Sequence, residues 1–489
     1  MELLFLAFAT IVAFTSALPE EKRALPPVES SKFRRVLWTN LLAKSQLLQD
    51  FAYSTLDRNR LIGRPGHEKT IQYLVDTLNA TDYYDVSLQP FNTTDPHSAD
   101  LTVESTVYKV NAMTESPEGT ISAPLVAVSN LGCNSTDSPA ATTGKIALVS
   151  RGTCSFQIKS LNAKAAGAVA AVVYNNIDGT LSGTLGVPGD YIPIIGVFNL
   201  DGLPLLQSLG KGNLKIEYLP LITYNVIAQS KIGDPTNVLH LGAHSDSVEA
   251  GPGINDNGSD SIGLLELTIQ LTAFSVNNAV RFSWWAAEEE GLLGSVAYVD
   301  ALTPEENAKI RLYLNFDMTA CPNFVHGIYD GDGSAFNVSG ASGSAEVEKL
   351  FQDFYTYDEG IPWQASQFDG RSDYDSFLDV GISVGGLDTD ADDIKMPEQV
   401  AIFGGTAGIQ KVPNYHSAGD TVSNLNVGAF LHNTKAIAHA VATYGTSWVG
   451  FPARLPVAAK TKELVAGRFK KGKYVLLLAC DIKLIDPGR

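Results

Sequence analysis

The sequence predicts an α/β fold: a mixed, mostly parallel sheet flanked by helices on both faces, with a small β-rich module inserted. Three observations carry this. From about Tyr224 onward, apolar strand-like runs alternate with helical spacings. Three of those strands end in residues of metal-ligand type. Between about Glu118 and Lys215 the texture changes to short β-prone runs separated by glycine and proline turns.

Taken in order, residues 33–50 and 66–79 have the apolar spacing of helices, and 84–91 alternates as a strand. The β-rich stretch supplies strands at 123–128, 145–150, 169–174 and 192–198, with one helix at 156–166. Strand 238–243 is followed by His244 and, across a loop holding Gly251, Gly253 and Gly258, by Asp256. Strand 281–287 runs into Glu288-Glu289-Glu290, strand 312–316 into Asp317, and a later loop offers Tyr415-His416. In open α/β sheets ligands bind beyond the carboxyl ends of the strands. Imidazoles and carboxylates converging there suit a divalent ion such as zinc. Helices at 259–273 and 292–301 separate these strands, and a last helix covers 427–444. His432 and His439 share a face of that last helix; with no carboxylate beside them, they read as half-buried helix histidines, not ligands.

At 489 residues, 45% hydrophobic and 18% charged, the chain can build two cores. Its net charge of -18 argues against a nucleic-acid partner. Residues 1–17, apolar and ending in Thr15-Ser16-Ala17, read as a signal peptide too short to span a bilayer; 18–30 is a candidate pro-segment. No later stretch is a spanning candidate, so the expected destination is extracellular, with a vacuolar lumen as the alternative. Sequons begin at Asn79, Asn92, Asn134, Asn257 and Asn337, and Asn257, inside the histidine–aspartate loop, is expected to be unmodified. Cys133 and Cys154 are candidates for a disulfide, whereas Cys321 and Cys480 have no evident partner. The domain boundaries expected are 31–117 and 221–452 for the main domain, 118–220 for the insertion and 453–489 for a tail.

G-A-H-S-D-S-V, G-I-N-D-N-G-S, W-A-A-E-E-E-G-L-L-G-S, N-F-D-M, G-R-S-D-Y and Y-H-S-A-G-D-T-V follow one another along the chain. In that order they resemble the co-catalytic dizinc aminopeptidases of the leucyl aminopeptidase and aminopeptidase Y type. The stretch beginning T-G-K-I-A-L-V-S-R-G-T-C-S-F resembles a protease-associated (PA) domain. The resemblance implies the zinc exopeptidase fold and two Zn2+ per chain, one held by His244 and Asp317, the other by Glu289 and His416, with Asp256 bridging. Three carboxylates and a bridging hydroxide would neutralise the four positive charges. It further implies Glu288 as general base, Asp246 as the acceptor that fixes the His244 tautomer, and Tyr415 as donor to the oxyanion. Arg371 would position the amino end of the substrate.

The activity implied is removal of N-terminal residues, large apolar ones such as leucine first, from peptide substrates by a monomeric enzyme. A carboxypeptidase or dipeptidase on the same scaffold, and a receptor-like binding protein that has lost its metals, are the alternatives. Relatives often carry cysteines where this chain has Asn414 and Gly419.

Overall fold

The structure is a computed structural model that describes residues 25–454, apart from 36–37, 96–98, 114, 177–180, 182, 184, 186–188, 199 and 208. The signal segment and nearly all of the tail lie outside the described residues.

Four parallel strands stand at the centre of the main sheet, in the order Asn278–Trp285, Asp234–His244, Ile310–Phe316 and Val384–Asp388. On one side the antiparallel pair Pro220–Ser230 and Tyr84–Thr94 extends the sheet, and on the other Gly327–Tyr329 and Gln364–Ser366 complete eight strands.

Successive side chains of a strand point to opposite faces, and that alternation splits the core. Leu239, Leu241, Phe282, Trp284, Leu312 and Leu314 face one way, under the helices Trp38–Ala52, Gly258–Leu271 and Val427–Thr446. Trp285 and Tyr313 face the other way, against Tyr298 of Leu293–Ala301 and Phe377 of Tyr374–Leu378. His240 lies on this second face, fully buried among Trp285, Tyr298, Tyr313 and Phe377. Helices therefore cover both faces, as the alternation predicts. Helix 33–50 is in fact a short turn, Ser30–Phe33, followed by Trp38–Ala52.

A second eight-stranded sheet forms the inserted module. Its strands 119–127, 146–150, 170–174 and 194–197 run parallel, with the helix Phe156–Ala165 capped by the Ser155 hydroxyl. Cys133 and Cys154 are joined in a disulfide. The sheet also contains Ala99–Val103, Thr106–Tyr108 and Val110–Ala112, so the module starts near Ala99 and not at 118. Ala99–Val103 pairs with Lys211–Ile216, and a partner so distant in sequence leaves no local periodicity to read. The module leaves the main sheet at Thr94 and returns at Pro220, which are paired residues, and the Asp95 amide donates to the Leu219 carbonyl at 2.8 Å. Arg64 closes this neck with a two-pronged ion pair to Asp95, at 2.7 and 3.0 Å.

Candidate active site

Three adjacent parallel strands deliver the site. Asp234–His244 ends on His244, Asn278–Trp285 runs on to Glu288 and Glu289, and Ile310–Phe316 is followed by Asp317. Asp256 precedes the helix Gly258–Leu271, whose first turn is capped by the Asn257 side chain accepting from the Asp260 amide. Asn257 is wholly buried, while the sequon asparagines 79, 92, 134 and 337 are exposed. The backbone takes left-handed φ angles beside the ligands, 59° at Ala287, 56° at Met318 and 50° at His416. Non-glycine residues adopt that region at a cost, and such positions concentrate at functional sites.

The five residues expected to hold metal meet. Asp256 stands between the two imidazoles: Oδ1 is 3.1 Å from His244 Nε2 and Oδ2 is 3.2 Å from His416 Nε2. Asp317 approaches His244 Nε2 at 3.5 Å, and Glu289 approaches His416 Nε2 at 3.0 Å. This is the partition in which one carboxylate is shared and each histidine has a carboxylate of its own. Burial opposes charge on His244 and His416. The surrounding carboxylates, Asp317 and Glu288 for the first and Glu289 and Asp256 for the second, outweigh it and hold both pKa values well above the ordinary range. Glu289 Oε1 and Asp317 Oδ1 are buried without hydrogen-bond partners. A dense set of oxygens and imidazole nitrogens with unfilled acceptor capacity fits two zinc-class cations.

Glu288 and Glu289 lie in the turn that follows the strand, and they approach different imidazoles, Glu288 that of His244 and Glu289 that of His416. Glu288 Oε2 lies 3.8 Å from His244 Nε2, and the residue is largely buried. Burial, reinforced by Asp317, Asp373 and Glu289 against the pull of His244, raises its pKa well above the carboxylate range. Asp246, fully buried, faces His244 Nδ1 at 3.5 Å and accepts from the amides of Glu288 and Glu289, at 3.3 and 3.4 Å. It therefore orients an imidazole and both glutamates at once.

Sequence reasoning missed several residues that hold these groups. Arg60 is fully buried and donates to the carbonyls of Ser245, Pro252 (2.9 Å) and Gly253 (2.5 Å), tying down the loop between His244 and Asp256. Asp420 accepts from the amides of Asn255 and Asp256, each at 3.0 Å, and Ser372 donates to Asp317 Oδ2 at 2.7 Å. A strand ending in acids stands also at Val384–Asp388, followed by Asp390; this repetition of the pattern was a readable signal.

One expectation is corrected. His432 does have a carboxylate beside it, Glu359 at 2.7 Å, supplied by a distant segment; His439 bonds to Ser30. The His416 loop, without the cysteines of relatives, is held by Asn414 donating to Asn424 and by Asp420.

A cleft of about 310 Å³ opens on the site, lined by residues between 256 and 416, including Met318, Tyr329, Phe336, Asp388, Asp390 and Arg371. Among the described residues, none that line it comes from the inserted module. Tyr415 stacks on His416 with ring centroids 3.8 Å apart, and Arg371 Nη2 lies 3.4 Å from its hydroxyl and 3.0 Å from Asp392 Oδ1.

A doubly wound sheet with a paired imidazole–carboxylate centre at its carboxyl edge defines a co-catalytic metallohydrolase. Residues 225–441 match Peptidase family M28 and residues 121–205 match the PA domain. The chain is 52% identical over 430 residues to the "Probable leucine aminopeptidase 2" of Aspergillus fumigatus, covering 86% of this chain and 85% of that one. Against the "Leucine aminopeptidase 2" of Trichophyton rubrum the identity is 49%, over 85% of this chain and 86% of that one. A zinc aminopeptidase from Bacillus subtilis superposes with a TM-score of 0.70 at 24% identity, over 86% of this chain and 97% of that one. An aminopeptidase from Aneurinibacillus sp. gives 0.60 at 26%, over 88% and 99%. The chain belongs to peptidase family M28, as a zinc metallo-aminopeptidase with a PA domain set into it.

Proposed function

We propose that the enzyme removes large apolar N-terminal residues, leucine foremost, from peptides, with Glu288 as its general base. The observation that carries this is the division of labour between the neighbouring glutamates: Glu289 is engaged with His416, while Glu288 faces the cleft without being spent on that pair. When bound, two zinc ions would supply Lewis acidity toward the scissile carbonyl and toward water.

Glu288 is placed to accept a proton from the attacking water and return it to the leaving amine. A buried carboxylate facing the cleft can serve both halves of that transfer, taking the proton from water and handing it on to the amine. The Tyr415 hydroxyl donates to the oxygen that becomes negative. Arg371, within reach of that hydroxyl, belongs at the same carbonyl end: a guanidinium attracts a developing oxyanion and repels an ammonium. Its role thus moves away from the amino end of the substrate. The free amine is better served by a carboxylate of the cleft that no cation pairs among the described residues, Asp388, and the apolar side chain by Met318, Tyr329 and Phe336. The names of the relatives, leucine aminopeptidases, point to the same preference.

Entry into the secretory route through residues 1–17 and a monomeric enzyme belong to this proposal. Among the described residues, no helix is long and apolar enough to cross a membrane. A panel of aminoacyl chromogenic substrates, assayed with and without chelator, tests the reading. Leucyl turnover abolished by chelator and restored by zinc is the expected result. Equal turnover of leucyl and glutamyl substrates would sink the apolar preference.

A further inference from the structure

The strand Gly327–Tyr329 runs into Asp330-Gly331-Asp332-Gly333-Ser334, and the helix Ser344–Asp353 brings Glu348 against this turn. Asp330, Asp332 and Glu348 each offer a carboxylate oxygen, all within 4.8 Å of one another. Asp330 is fully buried and Glu348 nearly so, while Asp332 is at the surface. Asp330 Oδ2 accepts from the amides of Ala335 and Phe336, at 3.0 and 2.8 Å. Its other oxygen, Oδ1, is buried and has no hydrogen-bond partner, and the Asp330 and Asp332 carboxylates close on each other. Glu348 accepts from the Asp332 amide and from Gln352, and Asp332 from the Ser334 amide; among the described residues no cationic side chain pairs with any of the three. A buried carboxylate oxygen without a donor, beside two further acids, is unfavourable unless a cation compensates it.

We propose that Asp330, Asp332 and Glu348 bind a calcium ion, at a site separate from the zinc pair, and that the ion fixes the loop carrying Phe336 into the substrate cleft. Oxygen ligands stand 2.3–2.6 Å from calcium, so any two of them lie within about 5 Å of each other, a limit these three carboxylates meet. Magnesium keeps most of its water and uses one or two carboxylates, whereas three acids converge here. The alternating Asp330, Asp332 and Ser334 have the spacing of calcium loops, with glycines where the turn is tight. A Cβ on Gly331 would collide with the Ser344 carbonyl, and Gly333 has φ 77°. The consequence for the cleft follows from one hydrogen bond. Phe336, which lines the cleft, hangs by its amide from the Asp330 oxygen opposite the unpartnered one.

The test uses the zinc-loaded enzyme, dialysed free of calcium and titrated with calcium chloride by calorimetry, with magnesium chloride in parallel. One site with a Kd on the order of 10⁻⁴ M is expected, the weak end of protein calcium sites. Asp332→Asn, a substitution at the surface, should weaken it by about tenfold or more with zinc content and circular dichroism unchanged. Terbium bound to the wild type and excited through Tyr329 should luminesce and be displaced by calcium. No saturable calcium heat together with no displaceable terbium signal overturns the site. Equal calcium binding by wild type and Asp332→Asn overturns its assignment, and magnesium binding as tight as calcium overturns the choice of ion. The coupling to the cleft rests on the proposed substrate pocket and has its own readout. Calcium should lower the leucyl-substrate KM of the wild type and not of Asp332→Asn, and an unchanged KM in enzyme that does bind calcium overturns the coupling.

Discussion

Glu288→Gln and Glu289→Gln remove one negative charge each from adjacent, chemically identical residues, and the geometry demands opposite results. Glu288 lies 3.8 Å from His244 Nε2, farther than the carboxylates assigned to metal, and it faces the cleft where water and substrate meet. An amide there can neither take nor return a proton. Loss of general acid–base help costs about 100-fold or more in kcat, which is about 2.7 kcal/mol of transition-state stabilisation. Both metals should remain. Glu289 lies 3.0 Å from His416 Nε2, with its second oxygen buried and unpartnered. An amide at 289 puts a donor nitrogen into one of those positions and leaves the metal charge less compensated. Affinity at that site should fall by at least the 10–100-fold that losing even an outer partner of a ligand costs, and zinc content should drop from two to about one per chain. Glu290→Asp, a residue outside the paired centre, should keep both metals and turnover within about twofold. The assay is elemental zinc content beside leucyl-substrate kcat for the three variants. If Glu288→Gln sheds a zinc while Glu289→Gln keeps both, the assignment along the glutamate run is off by one.

Asp420→Asn leaves one of the buried amides of Asn255 and Asp256 without an acceptor, a loss of about 1–3 kcal/mol. Because Asp256 stands between the two imidazoles, zinc affinity should fall along with the unfolding midpoint, and an unchanged zinc titration would refute the positioning role. A chain from which residues 99–216 are deleted, with the paired ends at Thr94 and Pro220 joined by a short turn, should retain both zincs and turnover of small leucyl substrates. Selectivity among longer peptides should change; loss of zinc from the folded protein would show the two units to be inseparable. Burial, against a hydrogen bond to Asn433 and helped by His432 and Lys395, lowers the His326 pKa from 6.5 to about 4. The unfolded chain therefore takes up a proton first as pH falls. Relative to His326→Phe, the wild type should lose up to about 3 kcal/mol between pH 6.5 and pH 4, and parallel stability curves for the two would refute it.

The strands that end in His244, Glu288-Glu289 and Asp317 were legible because each is a local event: an apolar run of β-prone residues followed at once by a ligand-type side chain. Their order along the chain, with Asp256 and Tyr415-His416, was enough to point to the family and to a candidate metal centre. The inserted module was legible in its centre, where parallel strands are short and uniformly apolar, and not at its near edge. There Ala99–Val103 owes its place to Lys211–Ile216, more than a hundred residues away.

Tertiary structure alone decided what holds the ligands in place. Arg60, Asp420 and Ser372 carry no periodicity or motif of their own; they matter because folding buries them against the carbonyls, amides and carboxylate of the site. The same is true of Glu359 beside His432, and of Glu348 facing Asp330 and Asp332. A sequence records which side chain leaves each strand, since that is fixed by neighbours along the backbone. It does not record which distant groups will share a low-dielectric interior, and there each buried charge or lone pair must find its partner.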